Sequence, residues 1–324
     1  MSEHEDSPLG FLAREGYFLK KIFSSLSAHK LIEKRPAFYL FTSRTFLFRI
    51  CIADPYSWEY SCKHKFEGSI DDFLCARFGF THAVTQKIFS KQLLGEVVSL
   101  PEDFDRITSI FYQHLDLLNN AVAKSRGVYR DYISSLPLFS GNKPILVDVG
   151  YSGTIQKLLT RLLGHDTLGL YFITTAQGIY KQNGTTAQIH SVFKDKVKMG
   201  GGYAMLDKSL FLESLLTAPN GQLIDMYKLS NPLLEKEVFR PVFGRVSYTQ
   251  ANFEELEAVF RGVCEAVVHF FQTGVRFSKV QIEEMYEVYT SSPQMIPSVL
   301  RPLFDVDDAI SGNKNVKPLQ LFGL

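Results

Sequence analysis

The first fifty residues change from an apolar run to a helical pattern and back to an apolar run. The run Leu9–Ala13 is followed by a short polar loop. Apolar residues then recur at the spacing of one helix face: Phe18, Leu19, Ile22, Phe23 and Leu26. A second run, Ala37–Arg44, is rich in aromatic residues and follows Pro36, which cannot continue a helix. The pattern predicts strand, helix and strand, with the second strand ending on Ser43 and Arg44.

The segment from Lys143 to Thr175 repeats this order more clearly. Lys143–Gly150 is a continuous apolar run that Pro144 opens and a glycine closes, and Leu168–Thr175 is another such run. The helical stretch between them, Thr154–Gly164, ends on a glycine suited to a C-cap. Strand, helix and strand with fully apolar strands predict an α/β fold with a parallel, doubly wound sheet.

The periodicity divides the chain into three parts. Residues 53–140 have apolar positions at helical spacing and predict a helical insertion beside the strand ends. Residues 1–52 and 141–245 together are predicted to form the core that contains the sheet. Amphipathic segments in residues 246–324 predict a C-terminal helical region.

The charge balance argues against nucleic acid and anionic membranes as partners. Lys plus Arg number 35 and Asp plus Glu number 34, so no net field attracts a polyanion. Four widely spaced cysteines are typical of reduced thiols in the cytoplasm, and the histidine spacing does not predict a catalytic zinc site. The acidic start differs from a signal peptide, and the apolar stretch from residue 37 to 53 is interrupted by Arg44 and Arg49. We therefore expect a cytoplasmic protein with no integral membrane segment, in which Asn183–Gly184 forms a turn.

Candidate chemistry lies where the strand from Lys143 ends. Asp148 closes an otherwise apolar run, and a carboxylate there is costly unless it has a partner such as a sugar hydroxyl or Mg²⁺. The loop that follows combines residues suited to holding a monophosphate at a helix N-terminus: Gly150, Tyr151, Ser152, Gly153 and Thr154. It is neither a P-loop nor a dinucleotide fingerprint. The alternative is an ordinary strand-to-helix turn with Thr154 as the N-cap.

An acid followed by a loop that ends Ser–Gly–Thr resembles the signature of type I phosphoribosyltransferases, which bind 5-phosphoribosyl 1-pyrophosphate (PRPP). Together with "FLAREGYFL", "YLFTSR" and "FLESLLTAPNG", it resembles the glycan phosphoribosyltransferases of bacterial polysaccharide synthesis, from about Leu9 to about Asp225. The resemblance implies a Rossmann-like core and transfer of ribose 5-phosphate from PRPP to a glycan hydroxyl. It also implies a lipid-linked acceptor at the inner face of the cytoplasmic membrane, and a haloacid-dehalogenase-type phosphatase that acts on the product.

The resemblance also implies roles for individual residues. Asp148 would contact the ribose, and the loop Gly150–Thr154 would hold the 5-phosphate. Residues of two other loops would bind the pyrophosphate: Ala13, Arg14, Gly16, Ser43 and Arg44. Asp148 and Glu15 would hold Mg²⁺ and are the candidates for the general base, and Arg14 would stabilise the leaving charge. Glu213 and Asn220 would contact the acceptor.

Several alternatives stay open at this point. Val149 follows Asp148 where the family has a second acid, so a non-catalytic module that binds a sugar phosphate or a nucleotide is the main alternative. A haloacid-dehalogenase-type phosphatase would need an early D-x-D-x-T strand, which the chain lacks. The acidic pairs Asp71–Asp72 and Asp305–Asp308 could bind a metal, but solvated turns or helix N-termini explain them as well.

Overall fold

A computed structural model of the chain describes residues 6–139, 141, 143–231, 236–307 and 316–323. The strands are β1 (Leu9–Leu12), β2 (Ala37–Leu40), β3 (Phe66–Ser69), β4 (Val97–Leu100), β5 (Ile145–Asp148), β6 (Thr167–Ile173), β7 (Gly178–Gln182), β8 (Thr185–Lys194), β9 (Leu223–Asn231) and β10 (Lys236–Phe243). The α-helices are α1 (Gly16–Ala28), α2 (Arg44–Ile50), α3 (Trp58–Cys62), α4 (Ile70–Phe78), α5 (His82–Ile88), α6 (Lys91–Leu94), α7 (Phe104–Gln113), α8 (Leu115–Ser135), α9 (Thr154–Leu163), α10 (Ala204–Asp207), α11 (Ser209–Leu215), α12 (Tyr248–Ala251), α13 (Phe253–Thr273), α14 (Lys279–Tyr289) and α15 (Pro318–Leu321).

A central sheet confirms the predicted α/β architecture. Among the described residues, six strands form it in the order β2-β1-β5-β6-β8-β7. Neighbouring strands run parallel, as in the pairing of Leu9 with both Ala37 and Ile145, except at the edge, where β7 is antiparallel to β8. The predicted parallel sheet is therefore mostly parallel, with one antiparallel strand at this edge. Asn183 and Gly184 cause the reversal because both adopt positive φ, 50° and 85°, which suits a tight hairpin turn.

The order of the strands reverses between β1 and β5. The chain passes from β1 through α1 to β2 on one side, and from β5 through α9 to β6 on the other. Leu9 and Phe11 pack with Phe23 of α1, whereas Leu12 belongs to the core cluster that contains Leu158 of α9. Because side chains alternate along a strand, α1 and α9 cover opposite faces, and the two loops that precede them start side by side at the carboxyl edge of the sheet.

The second predicted strand is shorter than its apolar run. It ends at Leu40, and Arg44 is the first residue of α2 rather than the last residue of a strand. Ser43 causes this change because its side chain accepts a hydrogen bond from the Phe46 amide, 3.1 Å away, and so caps the helix. The capped helix therefore begins within the apolar run that predicted a strand.

Residues 53–140 contain the helices α3 to α8, as their periodicity predicted, together with the antiparallel pair β3 and β4. Their core is continuous with one face of the sheet, since Trp58 and Phe111 belong to the same cluster of buried side chains as Leu12 and Leu40. A second antiparallel pair, β9 and β10, follows the sheet. The division of the chain into three domains stays a prediction.

Towards the C-terminus the predicted helical region contains the long helices α13 and α14. The fully buried ring of Phe18 on α1 lies in one cluster with Leu256 and Phe260 of α13, so α13 covers the outer face of α1. Among the described residues, no helix has both the length and the apolar character needed to cross a membrane.

Candidate functional site

Two loops meet at the carboxyl edge of the sheet, where the order of the strands reverses. Residues 13–15 connect β1 to α1, and residues 149–153 connect the neighbouring strand β5 to α9. Each loop contains a cis peptide bond, Ala13–Arg14 in the first and Gly150–Tyr151 in the second. In open α/β sheets the crevice outside such a reversal is the usual ligand site. The predicted residues Arg14, Glu15 and Asp148 therefore lie at one edge.

Three carboxyl groups influence one another at this edge. Asp148 is buried, and its Oδ1 accepts a hydrogen bond from the Val149 amide at 2.8 Å. Burial raises the pKa of Asp148 well above its usual range, and the charges of Glu15 and Glu213 raise it further. Burial also raises the pKa of Glu213, again with a contribution from Glu15, to about 7. Both carboxyl groups therefore hold a proton more readily than an exposed acid does, and an approaching cation would favour their ionised forms.

Two arginines oppose this negative charge. The guanidinium of Arg44 lowers the pKa of both Asp148 and Glu213, and Arg14 lowers that of Glu213. Arg14 Nη2 donates to the Asp307 carbonyl oxygen at 3.4 Å. The Arg44 side chain makes no hydrogen bond or ion pair with any described residue, so its donors are available to an anion.

The loop from Gly150 to Thr154 is open in the way an anion requires. Gly153 is the N-cap of α9 and provides no side-chain cap, so the alternative in which Thr154 caps the helix was wrong. The Ser152 and Thr154 hydroxyl oxygens are 2.8 Å apart. Gly153 has φ of 67°, which favours glycine, and a Cβ atom there would lie 2.3 Å from Ile189 Cδ1 and displace that side chain. Amides and hydroxyls at a helix N-terminus together suit a phosphate.

Lys157 contacts this loop, and the sequence analysis did not identify it as a candidate site residue. It lies on α9 with only 6% of its surface exposed, and its Nζ donates to the Ser152 carbonyl oxygen at 2.9 Å. The same Nζ lies 3.7 Å from the centre of the Tyr180 ring. Burial lowers the pKa of Lys157 to about 8. A lysine among the apolar residues of "TIQKLLTRLL" was the available signal, but a lysine in a helix is usually solvated.

Glu213 and Asn220 reach the same edge from a later part of the chain. Tyr151, within the loop after β5, donates its hydroxyl to Glu213 Oε1 at 2.7 Å. Tyr39 at the end of β2 has a buried hydroxyl with no hydrogen-bond partner among the described residues. Burial and the charge of Glu15 raise the pKa of Tyr39, whereas Asn220 lowers it. Asn220 therefore lies close to the Tyr39 hydroxyl, beside the site.

Two of the predicted pyrophosphate ligands have structural roles. The hydroxyl of Ser43 donates to the Leu223 carbonyl oxygen at 2.6 Å while it caps α2, which leaves no donor for an anion. A Cβ atom at Gly16 would lie 2.7 Å from the carbonyl carbon of Phe11, so this glycine allows α1 to approach β1 closely. Ala13 and Arg14 lie in the loop between β1 and α1, and both residues are half-buried.

The acidic pairs elsewhere in the chain differ from the site. The Tyr248 amide donates to Asp305 Oδ2 at 2.6 Å, and Arg245 Nε donates to Asp307 Oδ1 at 2.6 Å, whereas Asp308 lies outside the described residues. Asp305 and Asp307 are thus occupied by structural contacts.

The carboxylates at the strand ends do not form a closed metal cage either. Among the described residues, no group of three metal-ligand atoms within 4.8 Å of one another includes Asp148 or Glu15. Mg²⁺ commonly takes one or two carboxylates together with substrate phosphates, so the predicted Mg²⁺ at Asp148 and Glu15 stays a prediction.

Comparison with known proteins adds no family to this geometry. No protein-family model matches the chain, and no curated protein matches it significantly. The resemblance to phosphoribosyltransferases therefore stays a prediction.

Proposed function

We propose that the chain is a Rossmann-like, type I phosphoribosyltransferase that transfers ribose 5-phosphate from PRPP to a hydroxyl of a glycan acceptor and releases pyrophosphate. The observation that carries the proposal is the meeting of two unlike loops at the strand reversal. One has Arg14 and Glu15, the other has an uncapped helix N-terminus, and Asp148 ends the strand that leads into the second loop. This arrangement offers separate positions for the two phosphate ends of PRPP.

The loop Gly150–Thr154 holds the 5-phosphate in this proposal. Its support is the absence of a side-chain cap on α9, the two neighbouring hydroxyls and the buried ammonium of Lys157 behind the loop. Arg14 and Arg44 take the pyrophosphate, since guanidinium groups bind phosphate oxygens with paired hydrogen bonds. Binding the two phosphate ends of PRPP fixes C1 of the ribose between them. The energy of binding these distant groups thus orients C1 for attack by the acceptor.

Asp148 and Glu15 would hold Mg²⁺ together with the pyrophosphate, and the ion would supply positive charge against the leaving group. The raised pKa of Asp148 is consistent with a carboxyl group that requires such a cation to ionise fully. Asp148 also contacts the ribose hydroxyls in this proposal. A single carboxylate at the end of β5 serves because Glu15 provides the second from the neighbouring loop.

Glu213 replaces Asp148 and Glu15 as our choice of general base. Its pKa of about 7 lies near the operating pH, where a base is most effective, and Tyr151 holds its carboxylate in place. The acceptor oxygen forms a bond to C1 while the bond from C1 to the pyrophosphate oxygen breaks, and the hydroxyl proton passes to Glu213. Direct displacement converts the α-linked donor into a β-linked product. We place the acceptor on a lipid at the cytoplasmic face of the membrane, with a haloacid-dehalogenase-type phosphatase as the next enzyme.

The test combines thermal stability with turnover. With Mg²⁺ present, PRPP at about a hundred times its dissociation constant should stabilise the protein by roughly 2.7 kcal/mol, well beyond an equal concentration of a nucleotide sugar. Pyrophosphate should be released when a lipid-linked glycan is added. Asp148→Asn should abolish release, whereas the exposed matched variant Asp116→Asn should leave it unchanged.

Two outcomes would contradict the proposal in different ways. If PRPP stabilises the protein but no acceptor causes pyrophosphate release, the chain is the non-catalytic binding module considered above. If a nucleotide sugar stabilises the protein and PRPP does not, the loop holds a different phosphate and the family resemblance fails.

A further inference from the structure

Asp71, Cys75 and His82 converge in the helical part of the chain. Asp71 and Cys75 are one turn apart on α4 and therefore lie on the same face. Gly79 ends α4 in the left-handed conformation, with φ of 64°, and reverses the chain so that His82, the first residue of α5, returns to that face.

The potential ligand atoms of the three side chains all lie within 4.8 Å of one another. His82 Nδ1 lies 2.8 Å from Asp71 Oδ2 and 3.6 Å from Cys75 Sγ, and Cys75 Sγ lies 4.0 Å from Asp71 Oδ1. A tetrahedral zinc ion with bonds of about 2.3 Å to sulfur and about 2.0 Å to nitrogen and oxygen separates its ligand atoms by roughly 3.3 to 3.6 Å. Small side-chain movements are enough to admit the ion.

The geometry differs from that of a cysteine nucleophile with a histidine base. In such a relay the two ring nitrogens have separate partners, one the nucleophile and the other the orienting carboxylate. Here Cys75 and Asp71 both approach the same nitrogen, Nδ1 of His82. Convergence of three donor atoms on one point is what a cation requires.

The surroundings hold the carboxylate in place. Thr85 is fully buried, and its Oγ1 donates to Asp71 Oδ1 at 2.5 Å. That contact occupies one carboxylate oxygen and leaves Oδ2 beside His82. Outer hydrogen bonds of this kind orient metal ligands in many proteins.

We propose that Asp71, Cys75 and His82 form a site for a zinc-class divalent cation, independent of the proposed transferase site. The ligands are Cys75 Sγ, His82 Nδ1 and Asp71 Oδ2, with water in the fourth position, because 65% of the His82 side chain is exposed. Binding releases the thiol proton to solvent and leaves the imidazole proton on Nε2. One sulfur and one nitrogen ligand favour zinc or cobalt over magnesium. The cation connects α4 to α5.

The experiment uses the full chain, stripped of metal, with Zn²⁺ and Co²⁺ as probes. Wild-type protein should bind one zinc ion in competition with a chromophoric chelator, and the cobalt form should show a thiolate charge-transfer band in the near ultraviolet. Cys75→Ser and His82→Gln should weaken binding at least tenfold. Thr85→Val should weaken it about tenfold while the three ligands remain.

The matched control is Cys264→Ser, which removes the other partly exposed thiol of the described residues and should bind metal like the wild type. Melting curves in metal-free buffer show whether each variant is folded. Zinc binding that is unchanged in Cys75→Ser, or a cobalt form without the charge-transfer band, would overturn the proposal. An excess of Mg²⁺ should not displace either ion, and displacement would also contradict it.

Discussion

The loops after β1 and β5 lie side by side at one edge of the sheet, yet they are built from different chemistry. The first has a guanidinium and a carboxylate, and a distant part of the chain holds it through the bond from Arg14 to Asp307. The second has glycines and hydroxyls, and its cation, Lys157, lies behind it on the following helix. The strand order provides the position of both loops, and the residues of each decide which part of a ligand it can bind.

The largest expected effect separates chemistry from binding at both loops. Glu213→Gln should lower kcat by about 10² to 10⁴ with much less effect on PRPP affinity, because it removes the proposed base and keeps the residues proposed to bind PRPP. In the wild type, kcat should rise with pH through about 7 as Glu213 loses its proton. Tyr151→Phe keeps the carboxylate but removes a hydrogen bond that lowers the pKa of Glu213, so the rise should move to higher pH. A Glu213→Gln enzyme with normal kcat would remove Glu213 from the mechanism.

The next effect tests the charged loop alone. Arg14→Gln should weaken pyrophosphate binding by about tenfold to a hundredfold, since a hydrogen bond to a charged group contributes roughly 1.5 to 3 kcal/mol. Ribose 5-phosphate binding should be unchanged. Calorimetric titration with each ligand provides the measurement. An equal loss of affinity for both ligands would mean that the two loops do not bind separate ends of the donor.

The reverse pattern is expected from the glycine loop. Gly153→Ala places a side chain at φ of 67°, which costs about 1 to 2 kcal/mol, and it displaces Ile189. Ribose 5-phosphate should bind more weakly while pyrophosphate binds normally. Gly127→Ala, within the exposed face of α8 where nothing lies within 4 Å, is the matched control and should stabilise the protein by about 1 kcal/mol. Chemical denaturation of both variants tests whether glycine is required only in the loop.

The smallest effect concerns the cation behind the glycine loop. Burial disfavours the charged form of Lys157, so its pKa is lowered to about 8, and a bound phosphate should raise the pKa again. Ribose 5-phosphate binding should therefore take up a proton near pH 8, and the affinity should fall by about fivefold as the pH rises beyond it. Lys157→Met should bind more weakly below that pH and show no such fall. Titrations in buffers of different ionisation enthalpy measure the proton, and a wild-type affinity independent of pH would contradict the assignment.

Much of the sheet could be predicted because its signals are local. The continuous apolar run before Asp148, the helix that ends at Gly164 and the Asn183–Gly184 turn all depend on neighbouring residues. The pair β3 and β4 could not be predicted in this way, since "FEGS" has no strand pattern and pairs with a segment beyond three helices. Ser43 could be recognised in the sequence as a possible helix cap. The sequence did not show that this cap would start a helix within the aromatic-rich run that was predicted to be a strand.

In the candidate site, too, the residues with a local sequence signal were predicted and those placed by long-range packing were not. Asp148 and the following loop were predicted because strand ends in parallel sheets meet at one edge. The proximity of Glu213 to Tyr151 and the burial of Lys157 depend on how α9 and α11 pack, which no local pattern of the sequence encodes. The cluster of Asp71, Cys75 and His82 was missed because its spacing differs from familiar zinc motifs and its geometry depends on the turn at Gly79.

The hydrogen bond from Arg14 to Asp307 joins residues 293 positions apart. During translation the Arg14 loop therefore leaves the ribosome long before its partner Asp307. β1 also emerges before β5, with which it pairs in the middle of the sheet. A nascent chain that has reached β6 already contains both loops, but the Arg14 loop is not yet anchored. Newly made protein should gain its proposed affinity for the donor late, after the segment that contains Asp307 has emerged.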